Sequence, residues 1–246
     1  MISRRAFFPA ISGGFPARGA AVVLRADDGR VLRMDNRFAA RWQAAAPGSA
    51  LKPWLLEALR PWRLHPCRLR LRIGGRTLDC THAPLAAPVD AETALAASCN
   101  AWFAAQAAAA DPDAVLARLR AGGAEAVRAA TVAELQLQVL GLEGARITPH
   151  AMAQAWRRLA SCAPAAVRAG LRRAVTEGTA QAANVPGAEV AGKTGTSGDG
   201  AWFAGFAPAS APRFVVVVFQ PKGRGARDAA PLGRELFEWA FRSYPR

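Results

Sequence analysis

The run Phe214-Val215-Val216-Val217-Val218-Phe219 constrains this chain more than any other feature. Four consecutive β-branched residues are stiff at χ1, and an apolar run without polar alternation suits a strand buried on both faces. Such a strand needs neighbours in a sheet and cover above and below. The adjoining sequence supplies both: Ala188 to Ala191 and Ala201 to Ala207 also read as strands, and Ala229 to Arg242 as a closing amphipathic helix. At the other end, Ala20 to Arg25 is apolar and β-prone, Asp27-Asp28-Gly29 offers turn chemistry, and Val31 to Met34 returns as a hairpin. Strands at both ends with helices between them predict an α+β fold. Its single antiparallel sheet would pair the first strands with the last, flanked by helices, with an all-helical middle subdomain.

Between the two ends, the apolar spacing from Leu51 to Leu59 fits a helix. Cys67 to His82 reads as a second hairpin, with Arg68, Arg70 and Arg72 alternating with Leu69, Leu71 and Ile73 before a Gly74-Gly75 turn. With that turn as centre, Cys67, Leu69, Leu71, Ile73, Leu78, Cys80 and His82 share one face. Val89 to Glu177 reads as alanine-rich helices broken at Asp111-Pro112 and Gly122-Gly123. No repeat or linker divides residues 20–246, and a 246-residue chain that is 52% hydrophobic can bury one sizeable core.

The formal charge is +14. Its arginines are scattered among alanines rather than gathered in a block, so nucleic acid is not an expected partner; a mildly cationic surface suits an anionic polymer or a membrane face. Lysine stands only at Lys52, Lys193 and Lys222. Arginine stays protonated and cannot serve as a base, whereas a buried lysine can lose its proton near neutral pH, so a lysine retained in such a chain is informative. Residues 1–19 resemble a twin-arginine export segment, with Arg4-Arg5 before Phe7-Phe8 and small residues; the alternative is a trimmed cytoplasmic N-terminus. Export would place the body in the periplasm or otherwise outside the cytoplasm.

Three short motifs carry chemistry. In Pro47-Gly48-Ser49-Ala50-Leu51-Lys52-Pro53, a serine and a lysine three residues apart on a helix share one face, and Ser49 near the helix N-terminus faces free N–H groups. A neutral Lys52 would give the weakly nucleophilic hydroxyl a base; a capping serine with a solvated lysine is the bland reading. Ser98-Cys99-Asn100 places a hydroxyl and a carboxamide two residues apart, able to relay a proton and hold a carbonyl, or simply to end a helix. Gly192-Lys193-Thr194-Gly195-Thr196 follows a strand, where Gly195 admits a ligand backbone and Lys193, Thr194 and Thr196 can hold a carboxylate. Gly187 with Gly192-Lys193-Thr194 also satisfies the letters of a phosphate loop. That loop needs a strand before its first glycine and a helix after its lysine, and here the strand falls inside it while Gly195, Gly198 and Gly200 follow.

In this order, at separations of 49 and 95 residues, the motifs resemble those of penicillin-binding protein transpeptidase domains, within the serine β-lactamase and D,D-peptidase superfamily. Ile147-Thr148-Pro149, Glu177-Gly178-Thr179-Ala180 and Trp202-Phe203-Ala204-Gly205-Phe206 look like the family's connecting segments. The resemblance implies catalysis by Ser49, Lys52 and Ser98, and substrate binding by Asn100, Lys193, Thr194, Gly195 and Thr196. The Ser49 and Thr196 N–H groups would form an oxyanion hole. It implies a D,D-transpeptidase acting on D-Ala-D-Ala peptidoglycan stem peptides, acylated by β-lactams, and working with a cell-wall synthesis partner. A D,D-carboxypeptidase, a serine β-lactamase or a non-catalytic β-lactam or peptidoglycan sensor are the alternatives. No Glu-x-x-x-Asn or Tyr-Gly-Asn element like those that deacylate β-lactamases is found, which favours a long-lived acyl-enzyme. The length suits a minimal domain, a fragment of a split system or a partner-dependent enzyme.

The cysteine pair before the second motif resembles that of elongation-type class B penicillin-binding proteins, some of which have metal ligands there. Acyl transfer needs no cofactor, but His65, Cys67, Cys80 and His82 can supply a tetrahedral structural zinc site; free thiols or a Cys67–Cys80 disulfide are the other readings. Cys99 and Cys162 read as buried small residues.

Overall fold

A computed structural model describes residues 19–85 and 88–245. The twin-arginine-like segment, but for its last residue, lies outside the described residues. Strands β1 (Ala20–Arg25) and β2 (Val31–Asp35) form the first hairpin, with Val22 opposite Met34. Helix α1 (Arg37–Trp42) follows, capped by the Asn36 side chain, which accepts from the Ala39 N–H.

The helix expected over Leu51 to Leu59 is instead three joined turns: a 3₁₀ turn at Gly48–Leu51, α2 (Lys52–Leu55) and a second 3₁₀ turn at Leu56–Leu59. Pro53 accounts for the first. It lacks the N–H that would close an α-helical bond to the Ser49 carbonyl, so that carbonyl takes the Lys52 N–H one residue earlier.

Strands β3 (Arg70–Ile73) and β4 (Arg76–Asp79) pair in the expected register, Leu71 opposite Leu78. Both Gly74 and Gly75 have positive φ, 55° and 78°, as a tight hairpin turn of this hand requires. The middle of the chain then builds α3 (Ala91–Ala97), α4 (Asn100–Ala108) and α5 (Pro112–Ala121), with Asp90 and Asp111 as N-caps. A small ladder of β5 (Glu125–Ala126) and β6 (Ala145–Arg146) brackets α6 (Val132–Val139). Helices α7 (Pro149–Cys162) and α8 (Ala165–Thr176) lead back to the sheet.

Strands β7 (Ala191–Ser197), β8 (Gly200–Ala207) and β9 (Phe214–Pro221) complete it, and a π-helical turn at Gly225–Ala229 runs into α9 (Ala230–Ser243). The sheet order is β2-β1-β9-β8-β7, antiparallel throughout. The first strand thus pairs with the last, Val22 against Val217, and the valine run lies in the middle of the sheet.

Its side chains alternate between two cores. Val215, Val217 and Phe219 join the core shared with Trp156, Leu159 and the helical middle, while Phe214, Val216 and Val218 pack with Leu236, Phe237 and Ala240 of α9. This is the predicted α+β architecture. One strand differs from expectation: β7 begins where the Ala188 to Ala191 strand was to end. Two glycines and a lysine depress the strand signal, but the small size of Gly195 lets β7 lie directly against the Ser49 segment. A Cβ on Gly195 would stand 2.4 Å from the Pro47 carbonyl oxygen and 2.8 Å from the Ala50 nitrogen.

Candidate active site

The three sequence motifs converge on one side of the β7 edge. Ser49 lies in the 3₁₀ turn, half-buried, with Lys52 three residues on. The Lys52 N–H donates to the Ser49 carbonyl, which sets lysine and serine one turn apart along the same side of the segment. Gly48 has φ +52°, and a Cβ there would sit 2.6 Å from both the nitrogen and the oxygen of Thr196. Only glycine permits that approach, which brings the Thr196 backbone alongside Ser49.

The turn and the residues leading into it are held by hydrogen bonds to five residues. Its Gly48 N–H donates to the Gly141 carbonyl (2.9 Å), the Ala46 N–H donates to Asp199 (2.7 Å), and the Ala46 carbonyl accepts from Ser197 (2.8 Å) and the Trp202 indole (2.9 Å). Trp156 donates to the Ala50 carbonyl at 3.2 Å.

Lys52 is fully buried. Its ammonium donates to Asn100 Oδ1 at 2.7 Å and to the Ser98 carbonyl at 3.5 Å, and lies 4.8 Å from the Phe103 ring centre. Burial pushes its pKa down to about 7, partly opposed by the thiols of Cys99 and Cys80. A lysine with that pKa is substantially neutral at physiological pH and can take a proton.

Ser98 ends α3 in the left-handed conformation, φ 59° and ψ 37°, and Asn100 opens α4. Asn100 donates its amide to the Asp79 carbonyl (3.1 Å), which ties the β3–β4 hairpin to this loop.

On β7, Lys193 is fully buried, and its ammonium donates to the Thr179 hydroxyl (3.4 Å) and the Thr194 carbonyl (3.3 Å). Burial, and then the charge of Lys52, hold it well below the usual lysine range. The Thr194 hydroxyl lies 3.1 Å from that of Thr179. Thr196 is exposed, its Oγ1 accepting from the Gly225 N–H at 3.0 Å. The structure therefore brings Ser49, Lys52, Ser98 and Asn100 together on one wall, and sets Lys193, Thr194, Gly195 and Thr196 on the adjoining strand.

A second cluster adjoins the Ser98–Asn100 loop. The ligand atoms of Cys67, Cys80, His82 and Cys99 all lie within 4.8 Å of one another. This corrects the expected set in one member: His65 pairs through its backbone with Val89 instead, and Cys99, read from the sequence as a small buried residue, takes its place. Leu69 has φ 61°, so the strand face shared by Cys67 and Leu71 does not continue straight, and Cys67 meets Cys80 (Sγ–Sγ 3.6 Å) as well as His82 (3.7 Å). The thiols are free. Contact with Cys99 holds the Cys80 thiol down at about 4, while the same contact and burial push Cys99 up. Cys162 is exposed, contrary to expectation, with its thiol on the Arg158 carbonyl.

A buried lysine one turn from a serine, packed against an edge strand, is an arrangement able to support serine acyl transfer, and comparison with known proteins finds similar chains. Residues 138–238 match the family described as penicillin binding protein transpeptidase domain. The whole described chain has the fold of such domains. It superposes on the D,D-transpeptidase domain of a peptidoglycan glycosyltransferase from Eggerthella lenta with TM-score 0.77 and 20% identity, covering 92% of this chain and 78% of that one. The imipenem acyl-enzyme of penicillin-binding protein A from Mycobacterium tuberculosis matches with TM-score 0.75 and 20% identity, over 91% of this chain and 73% of that one.

In sequence, the peptidoglycan D,D-transpeptidase PbpA of M. tuberculosis is 37% identical over 76 residues, 25% of this chain and 16% of that protein. The match thus spans about a sixth of the curated relative's length.

Proposed function

We propose that the chain is a peptidoglycan D,D-transpeptidase that works through a Ser49 acyl-enzyme. The observation that carries this reading is Lys52: fully buried, its pKa brought down to about 7 by burial, one turn from Ser49 and hydrogen-bonded to Asn100.

Ser49 Oγ attacks the carbonyl of the penultimate D-alanine of a stem peptide, and Lys52 Nζ takes the hydroxyl proton. The oxyanion is met by the N–H groups of Ser49 and Thr196, whose backbones the Gly48 contact brings side by side. The C–N bond then breaks and the terminal D-alanine leaves as an amine, its proton relayed through Ser98. Asn100 holds the substrate amide, and Lys193, Thr194 and Thr196 hold the terminal carboxylate. An acceptor amine from a second stem peptide resolves the ester. β-Lactams acylate the same serine.

A polymerising partner is part of this reading. One structural neighbour, 21% identical with TM-score 0.75, comes from a peptidoglycan synthase complex that coordinates polymerization and crosslinking. The substrate class and Arg4-Arg5 support action outside the cytoplasm. The thiols of Cys67, Cys80 and Cys99 with His82 fit a zinc ion: tetrahedral ligands at about 2.3 Å from zinc stand about 3.8 Å apart, near the 3.6 and 3.7 Å separations seen. Bound there, zinc would brace the β3–β4 hairpin against the Ser98–Asn100 loop, and the acyl-transfer steps use none of these four side chains.

The test is release of D-alanine from a D-Ala-D-Ala-terminated stem peptide supplied with an acceptor amine. Crosslinked product that disappears in Ser49→Ala supports the reading. Hydrolysis alone identifies a carboxypeptidase, and penicillin labelling without any release of D-alanine identifies a sensor.

A further inference from the structure

The segment joining α8 to β7 contains a threonine that belongs to none of the three motifs yet touches the buried lysine of the third. After α8 ends, residues 177–180 fold back on its last turn: the Gly178 N–H donates to the Arg173 carbonyl (3.0 Å) and the Ala180 N–H to the Ala174 carbonyl (2.8 Å). Gly178 lies so close to α3 that a Cβ would stand 2.2 Å from the Ala96 carbonyl oxygen, two residues before Ser98. Arg173 reinforces the junction by pairing with both Glu92 of α3 and Glu177.

Thr179, the next residue, therefore leaves the wall that carries Ser98 and points its hydroxyl at β7. There Oγ1 accepts from Lys193 Nζ at 3.4 Å and lies 3.1 Å from Thr194 Oγ1, while its own carbonyl accepts from the Thr194 hydroxyl at 3.5 Å. Lys193 is fully buried and Thr194 is 6% exposed. The buried Lys193 nitrogen has N–H groups to satisfy, and it finds the Thr194 carbonyl and the Thr179 hydroxyl as acceptors. A hydroxyl can accept from the lysine and exchange a hydrogen bond with Thr194 at once, which valine of the same shape cannot.

We infer that Thr179 is a positioning residue for the substrate carboxylate: it aims the Lys193 ammonium and the Thr194 hydroxyl at the group they bind, and couples that pocket to the Ser98 wall through Gly178. The inference rests on the proposed reading of Lys193 and Thr194. It deepens that reading, because Thr179 touches no substrate and acts only through them.

The experiment compares acylation of the full chain by benzylpenicillin and by benzylpenicillin methyl ester, which lacks the anionic carboxylate. Thr179→Val keeps the shape and removes the hydroxyl, Thr179→Ala is the second variant should the first fold poorly, and Thr179→Ser restores the hydroxyl. Hydrogen bonds to charged groups of this kind correspond to about tenfold or more in rate. The expected result is a loss of about that size toward the acid in Val and Ala, little change toward the ester, and recovery in Ser. An equal loss on both probes makes Thr179 merely structural and overturns the inference, as does a Val variant that matches wild type. A wild-type chain that neither probe acylates overturns the functional reading and the inference with it. Normal wild-type acylation with no acid-selective loss overturns the inference alone.

Discussion

Lys52 and Lys193 are two of the three lysines in an arginine-rich chain, and both are fully buried in the site. Scarcity of lysine made them conspicuous in the sequence, and for Lys52 the role of base explains why arginine could not substitute: it would remain charged. Lys52→Arg should therefore be nearly as damaging as Lys52→Met. Loss of a positioned base costs about 10²–10⁴-fold, measured as the second-order rate of acylation by penicillin. Acylation by wild type should climb with pH through about 7 as Lys52 loses its proton.

The same shift acts on stability. The folded-state pKa of about 7 lies below the ordinary 10.5, so between those values the unfolded chain binds the extra proton. This contribution to stability is therefore least favourable below about pH 7 and grows as pH rises across the window. Denaturant midpoints in Lys52→Met should show a shallower rise over that range than wild type.

What the letters could not show at this scale was Cys99 as part of the thiol cluster. Its pattern neighbours are Ser98 and Asn100, and it is the fold, with Asn100 donating to the Asp79 carbonyl next to Cys80, that brings the two segments together. His65 looked the better ligand because His65-x-Cys67 mirrors Cys80-x-His82; the left-handed turn at Leu69 breaks that mirror symmetry.

At the scale of elements, glycines decide how the motifs meet. The β7 strand was legible at Ala191 alone because two glycines and a lysine weaken the β signal, yet Gly195 is what allows strand and turn to touch. Gly195→Ala would force a methyl onto the Pro47 carbonyl oxygen. Overpacking of this kind costs about 1–3 kcal/mol, and the displaced Ser49 turn should lose acylation out of proportion to the fall in melting temperature. The single helix expected from Leu51 breaks into three turns because Pro53 removes one donor, a local effect that apolar periodicity does not register. The β3–β4 hairpin was legible in register because Gly74-Gly75 fixes its turn. If zinc braces it, the purified chain holds one equivalent by elemental analysis. Cys80→Ser or a chelator then lowers the melting temperature and slows acylation while leaving Lys52 in place. A metal-free preparation with full activity and unchanged melting temperature contradicts that role.

For the whole molecule, the valine run announced a central strand, and the structure places it between two cores on opposite faces of the sheet, with α8 giving Leu171 to one and Val175 to the other. The pairing of first and last strands followed from strands at both ends, since an apolar terminal hairpin has nowhere else to bury its face. The two cores differ in function. The one behind the site includes Trp156, Trp202 and the 3₁₀ turn, while the α9 side holds none of the motif residues. Phe237→Ala on α9 should cost about 3–5 kcal/mol in denaturant unfolding, with the folded fraction still acylated at close to the wild-type rate.

The central claim, that Ser49 is the acylated nucleophile, is tested most directly by intact-mass spectrometry after exposure to benzylpenicillin, followed by peptide mapping. The account predicts one stoichiometric adduct located on Ser49, absent from Ser49→Ala and much slower in Lys52→Met. An adduct on another residue, or one that persists in Ser49→Ala, would contradict it.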